Sequence, residues 1–291
     1  MRFFRVGLVA AGILSMLGCA GFPQPQQGLD FGDGLSAQDL LERTVAAHGG
    51  DLREHEGDFN LAMDGEWGRA IVRIQPIVTD AGFRIRAEER FRPSDGIYAL
   101  RHEGPEGVKT VFRRGDELAI WYNGEANQDP ARHRATAMTT DAFQMFHFGP
   151  SFLLDRHIAL DRLADRREGG VRYRRILATL APGFGEAEQD QVVLWIDPET
   201  DLTWRMHITL NGFETTQGAH VDTTFLAYDE VNGFVFPSEF IERVRGPIRL
   251  RAHDWWITAR DQDRGWREDD VRRPDFAGAA AAAAGTEVGG R

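Results

Sequence analysis

Leu202-Thr203-Trp204-Arg205-Met206-His207-Ile208-Thr209-Leu210-Asn211 alternates with a period of two. Leu202, Trp204, Met206, Ile208 and Leu210 share one side, and Thr203, Arg205, His207, Thr209 and Asn211 share the other. Successive side chains of a strand point to opposite faces, so the stretch predicts a β-strand with one dry and one wet face. Asp197-Pro198-Glu199-Thr200-Asp201 precedes it, and those residue types close tight turns. With the apolar run 191–197 upstream, the segment predicts an antiparallel hairpin.

The same period recurs outward in both directions. Phe59, Leu61 and Met63 alternate with polar neighbours, as do Val72 and Ile74, and then Phe83, Ile85 and Ala87. Further runs lie at 97–103, 108–113, 118–122, 171–180, 219–229, 234–244 and 248–257, and Asn232-Gly233 supplies another hairpin turn. Two segments carry helical spacing instead. Ser36 can cap a helix with Asp39 three residues on, Leu40, Leu41, Thr44, Val45 and His48 then share a face, and Gly49-Gly50 stops it. Met138, Ala142 and Met145, with Phe143, Phe146 and His147 alongside, form a short apolar helix that Thr139 or Thr140 caps and Gly149-Pro150 ends. The expected fold is mainly β (α+β). It is a single curved antiparallel sheet or incomplete barrel over residues 35–270, with an N-terminal helix and an inserted apolar helix over the concave face.

The ends have a different character. Arg2 and Arg5 precede an apolar stretch, 6–17, about half as long as a spanning helix, and Gly18-Cys19 follows. That is the pattern of a signal peptide over residues 1–18. Cys19 is the only cysteine, so no disulfide framework exists. Residues 19–34 read as a flexible Pro/Gln/Gly spacer, and 271–291, Ala/Gly-rich from 277 onward, as a disordered tail. A net charge of −11 argues against a nucleic-acid partner. No repeat at a fixed period occurs, and a 42% hydrophobic content suffices for one large domain.

Leu14-Ser15-Met16-Leu17-Gly18-Cys19 resembles the lipobox of bacterial lipoproteins, in which fatty acyl chains such as palmitate anchor the cysteine to a membrane. Ala20, in the place where Asp marks retention in such proteins, implies the outer membrane. The body resembles the outer-membrane lipoprotein carrier and receptor family, LolA and LolB-like proteins. The likeness rests on the opening helix with Gly49-Gly50, the hairpin Trp195-Ile196-Asp197-Pro198-Glu199-Thr200-Asp201-Leu202, and the segment from Phe225-Leu226-Ala227-Tyr228 through Gly233-Phe234-Val235-Phe236-Pro237. It implies an open half-barrel around helices whose apolar concave face holds acyl chains. The chain is longer than the carriers, chiefly around 126–167, and no residue matches the carrier's internal arginine.

Candidate lining residues for a hydrophobic ligand are Phe83, Ile85, Phe143, Phe146, Trp204, Met206 and Ile208. The expected protein is a periplasm-facing lipoprotein of the cell envelope, lipid-anchored through Cys19, that binds an acyl chain or other hydrophobic molecule. An envelope protein is a further expected partner. Two alternatives stay open, a lipoprotein with a filled core that binds partners outside, and a hydrolase. No enzyme chemistry, cofactor or metal is expected. His207, His220, Asp222 and His253 lie on neighbouring runs, but their phase places them on the wet face, against a metal site. No Gly-x-Ser-x-Gly elbow occurs, and His147 between Phe146 and Phe148 reads as a packed or rim histidine. Arg84, Arg86, Arg90 and Arg92, and again Arg249 and Arg251, form stripes that could hold lipid phosphates through bidentate bonds, but in a chain with an excess of acids they are expected to pair with carboxylates across strands.

Overall fold

The alternating runs pair into one antiparallel sheet, seen here in a computed structural model that describes residues 21–276. The signal segment, Cys19 and residues 277–291 lie outside the described residues. In chain order the strands are β1 (Phe59–Trp67), β2 (Arg86–Arg92), β3 (Ile97–Gly104), β4 (Gly107–Arg114), β5 (Glu117–Tyr122) and β6 (Glu125–Ala126). There follow β7 (His157–Glu168), β8 (Val171–Leu180), β9 (Asp190–Ile196), β10 (Thr203–Thr209), β11 (His220–Val231), β12 (Phe234–Gly246) and β13 (Leu250–Gln262). Their spatial order is β6-β5-β4-β3-β2-β1-β13-β12-β11-β10-β9-β8-β7, an open sheet of 13 strands among the described residues.

Strand β1 pairs with both β2 and β13, so two meanders are sewn together at the middle of the sheet. The edges, β6 and β7, are consecutive in sequence. Their connection must therefore cross from one edge to the other, and it does so as helix α4 (Pro130–Phe148), which lays its apolar residues on the inner face. Met138, Met145 and Phe146 are fully enclosed there, with Phe59, Phe236, Phe240 and Trp255 of the sheet beneath. The helix is longer than the expected apolar segment because Asp129 caps it, accepting from Ala131 N–H at 2.9 Å, with Pro130 in its first turn.

Helix α1 (Ala37–Ala47) has the predicted capping box: Asp39 N–H donates to Ser36 Oγ at 3.0 Å and Ser36 N–H to Asp39 Oδ2 at 2.8 Å. His48 ends it as a buried clamp. Its Nδ1 lies 2.7 Å from Val235 O, while Nε2 accepts from Thr203 N–H at 3.1 Å, tying the helix to β12 and β10. Burial holds its pKa down to about 4, so the ring is neutral, as that bonding requires. Gly49 must be glycine: φ is +102°, and a Cβ would sit 2.5 Å from Gly233 O.

Several expectations need correction. Val72 and Ile74 belong to helix α2 (Arg69–Ile74), followed by α3 (Pro76–Thr79), because Ile71, Ile74 and Val78 recur at helical spacing and Pro76 opens a second turn. Strand β7 escaped detection because, as an edge strand, it buries only Leu163 and shows no alternation. The body extends past 270: Trp266, Val271 and Phe276 pack on Ile97, Ala99 and Phe112 on the outer face. Residues 21–34 form no helix or strand, yet Phe22 packs on His207 and Asp33 pairs with Arg162 at 2.9 Å.

Candidate functional site

Between α4, the α2–α3 pair and strands β10 to β13 the inner face leaves a cavity of about 210 Å3. Phe143, Phe146 and Ala142 of α4 form one wall, Ile71 and Val78 another, and Ile208, Val221, Val244 and Ala252 the floor. Its outer lip is made by Ile74, Thr215, Pro247 and Ile248, all exposed, so apolar carbon rims the opening. Gln75 and Thr215 bridge that lip, with Gln75 Nε2 donating to Thr215 O at 2.8 Å and Thr215 Oγ1 to Gln75 Oε1 at 2.6 Å. Helix α4 is pinned on its far side. Arg113 pairs with Asp141 at 2.9 Å, Lys109 donates to Thr136 at 3.0 Å, and His147 Nδ1 lies 2.6 Å from Glu89 Oε2 with both side chains 0% exposed.

Two ionisable groups face the cavity from its buried end. Arg84 is 4% exposed, and its Cζ lies 3.8 Å from the Phe143 ring centroid and 5.1 Å from that of Trp67. Its Nε and Nη2 have no hydrogen-bond partner among the described residues. The aromatic faces replace part of its hydration, as a ring quadrupole does for a cation. Burial lowers its pKa to about 10, which leaves it charged at neutral pH. Glu242 is moved the other way: burial raises its carboxyl to about 7, against the pull of Arg84. The cavity is thus an apolar slot with one fixed cation and one proton-sensitive carboxyl at its inner end.

Neither a protein-family model nor any curated protein matches the sequence. Solved structures do. A putative outer membrane lipoprotein-sorting protein domain from Vibrio parahaemolyticus superposes with a TM-score of 0.51 at 12% identity, over 81% of this chain and 97% of that one. A LolA superfamily protein from Nitrosomonas europaea gives 0.50 at 9% identity, over the same shares. The chain has a LolA-like fold. At such identities the likeness concerns the backbone, and the LolA-like sheet must be read for chemistry from its own side chains.

Of the seven residues expected to line a site in this LolA-like fold, Phe143, Phe146 and Ile208 line the cavity. Met206 is enclosed in the same inner core but not on the cavity surface. Phe83 is buried with its ring edge-on to Tyr122 at 4.8 Å, away from the cavity. Ile85 is 47% exposed, since the bend ahead of β2 turns Arg84 inward in its place. Trp204 lies on the outer face, stacked on Tyr173 at 4.1 Å: a bulge between Thr203 and Arg205 breaks the alternation there. Arg84 and Glu242 were missed because nothing in a strand pattern announces an inward charge.

The polar residues assigned to the wet face are enclosed. His207, His220, Asp222 and His253 are all buried. His207 Nε2 and His220 Nδ1 are 2.7 Å apart beneath Phe22, burial holds His207 down to about 3, and Asp222 pairs with Arg245. His253 stacks flat on Trp67 at 3.9 Å. Among the described residues no three His, Cys, Asp or Glu side chains converge as a metal site would require. Of the arginine stripes, Arg86 pairs across strands with Asp64 at 3.8 Å, while Arg92 pairs with Asp95 and Arg251 with Asp254 along the chain. The sealed Glu89–His147 pair touches neither cavity surface nor solvent, so it holds α4 on β2 and has no access to a substrate.

Proposed function

We propose that this protein is a lipid-anchored lipoprotein of the bacterial envelope, on the outer membrane and facing the periplasm, that binds an acyl chain or comparable hydrophobic ligand in the inner-face cavity. The observation that supports it is the cavity itself: an apolar slot with an exposed apolar lip, in a fold whose interior would otherwise be filled by α4. The similarity to a domain described as lipoprotein-sorting supports the same direction. Sequence supports the anchor, through the signal pattern and Cys19. The ligand's tail lies along Phe143, Phe146, Ile208 and Val221, and any carboxylate or phosphate it carries meets Arg84.

Native mass spectrometry of the protein released from membranes tests the reading. A population heavier than the acylated chain by the mass of a lipid, lost on organic extraction and restored by adding fatty acid, is expected. A bare mass that no fatty acid increases would refute it.

A further inference from the structure

The face opposite α4 carries a second concavity, of about 410 Å3, on the outer side of β7 to β12. Five arginines line it, Arg166, Arg175, Arg205, Arg245 and Arg249, against two carboxylates, Glu168 and Asp222. Such an excess is conspicuous in a chain of net charge −11. Part of the cluster is a fixed framework. Arg205 bonds Glu168 at 2.7 and 2.9 Å and lies 4.3 Å over Trp204, Arg175 donates to Ala164 O at 2.8 Å, and Arg245 pairs with Asp222. Arg166 and Arg249 are exposed and have no carboxylate partner among the described residues.

Position supplies what charge alone does not. Gly21 and Gln24 run along this groove, so the described residues begin inside it, and in sequence Gly21 stands two residues after Cys19. The loop between β12 and β13 also joins the two concavities. Pro247 and Ile248 stand on the lip of the apolar cavity, and the next residue, Arg249, stands in the groove. The start of the described chain at Gly21 and the exposed arginines therefore share one groove, which the β12–β13 loop joins to the cavity lip.

We propose that the arginine groove is the surface by which the protein lies on its membrane, receiving the phosphates of anionic phospholipid head groups, with Ile248 and Ile74 at the interface. Guanidinium groups match phosphate oxygens in a planar fork, and their attraction to an anionic surface falls with salt. Lipid acyl chains entering or leaving the cavity then cross only the lip. The proposal rests on the anchor in the proposed function, not on the identity of the ligand.

The test uses the full lipidated protein with vesicles of phosphatidylcholine alone or containing phosphatidylglycerol, followed by flotation and by amide hydrogen exchange. Flotation on phosphatidylcholine reports the anchor, and its absence would refute the anchor alone. The groove is read from the anionic vesicles. Exchange in segments 164–176 and 243–251 should slow about tenfold on phosphatidylglycerol and not on phosphatidylcholine. Raised salt, or Arg166→Glu with Arg249→Glu, should abolish that protection while flotation persists, since both side chains are exposed and have no carboxylate partner among the described residues. Equal exchange on the two vesicles, protection unaffected by the double substitution, or the same protection from inorganic phosphate without vesicles would overturn the proposal.

Discussion

Glu242 shows how one buried side chain couples the site to pH. Its carboxyl is raised to about 7 from 4.5 by burial. The folded state therefore keeps a proton that the unfolded chain releases near pH 4.5, and stability declines as pH rises from about 4.5 to 7 and is then level. The lost stabilisation is on the order of 3 kcal/mol at the upper end. Glu242→Gln should remove that decline: urea midpoints of parent and variant should be close at pH 4.5 and should diverge by pH 7.5 in favour of the variant. Parallel pH profiles would show that Glu242 is solvated. None of this was legible in the sequence. Burial of Glu242, as of Arg84 and the His207–His220 pair, depends on what covers it, and the cover comes from α4, Trp67 and Phe22, far away in the chain.

At the scale of the element, periodicity was legible and phase was not. The alternation of 202–211 identified β10, and the positions of Met206 and Ile208 followed from it. One irregularity then sent Trp204 to the opposite face. The Asp197 turn behaves as its residues suggest, with Asp197 Oδ1 accepting from Glu199 and Thr200 N–H at 2.9 and 3.1 Å and Asp201 in the left-handed region. Beyond the bulge the register has no slack. Inserting one residue after Arg205 should turn Met206 and Ile208 outward and cost about 4 kcal/mol or more, seen as a lowered thermal midpoint. An unchanged midpoint would mean that β10 is not held by its inner face. Helix α4 was half legible: its apolar end was plain, while 130–137, with Arg132, His133 and Arg134, gave no apolar stripe to read.

For the whole molecule, a single idea accounts for sheet and helix: an open sheet whose crossover helix leaves a slot beside it, which the proposed function joins to a tether at Cys19. If Cys19 is the tether, Cys19→Ser should abolish incorporation of radioactive fatty acid and release the protein from the membrane fraction, and equal labelling of parent and variant would contradict it. The slot itself is tested most directly by filling it. Ala142 is a buried residue of α4 on the cavity wall, so Ala142→Trp places an indole where the ligand would lie. The measurement is the affinity of the parent and of this variant for a fluorescent fatty acid, with the thermal midpoint of each as a control for folding. The account predicts saturable binding by the parent, weakened about tenfold or more in a variant that still melts cooperatively, a loss of roughly 1.4 kcal/mol. A parent that binds no probe, or a folded variant that binds it as well as the parent, would contradict the claim that the cavity is a hydrophobic-ligand site.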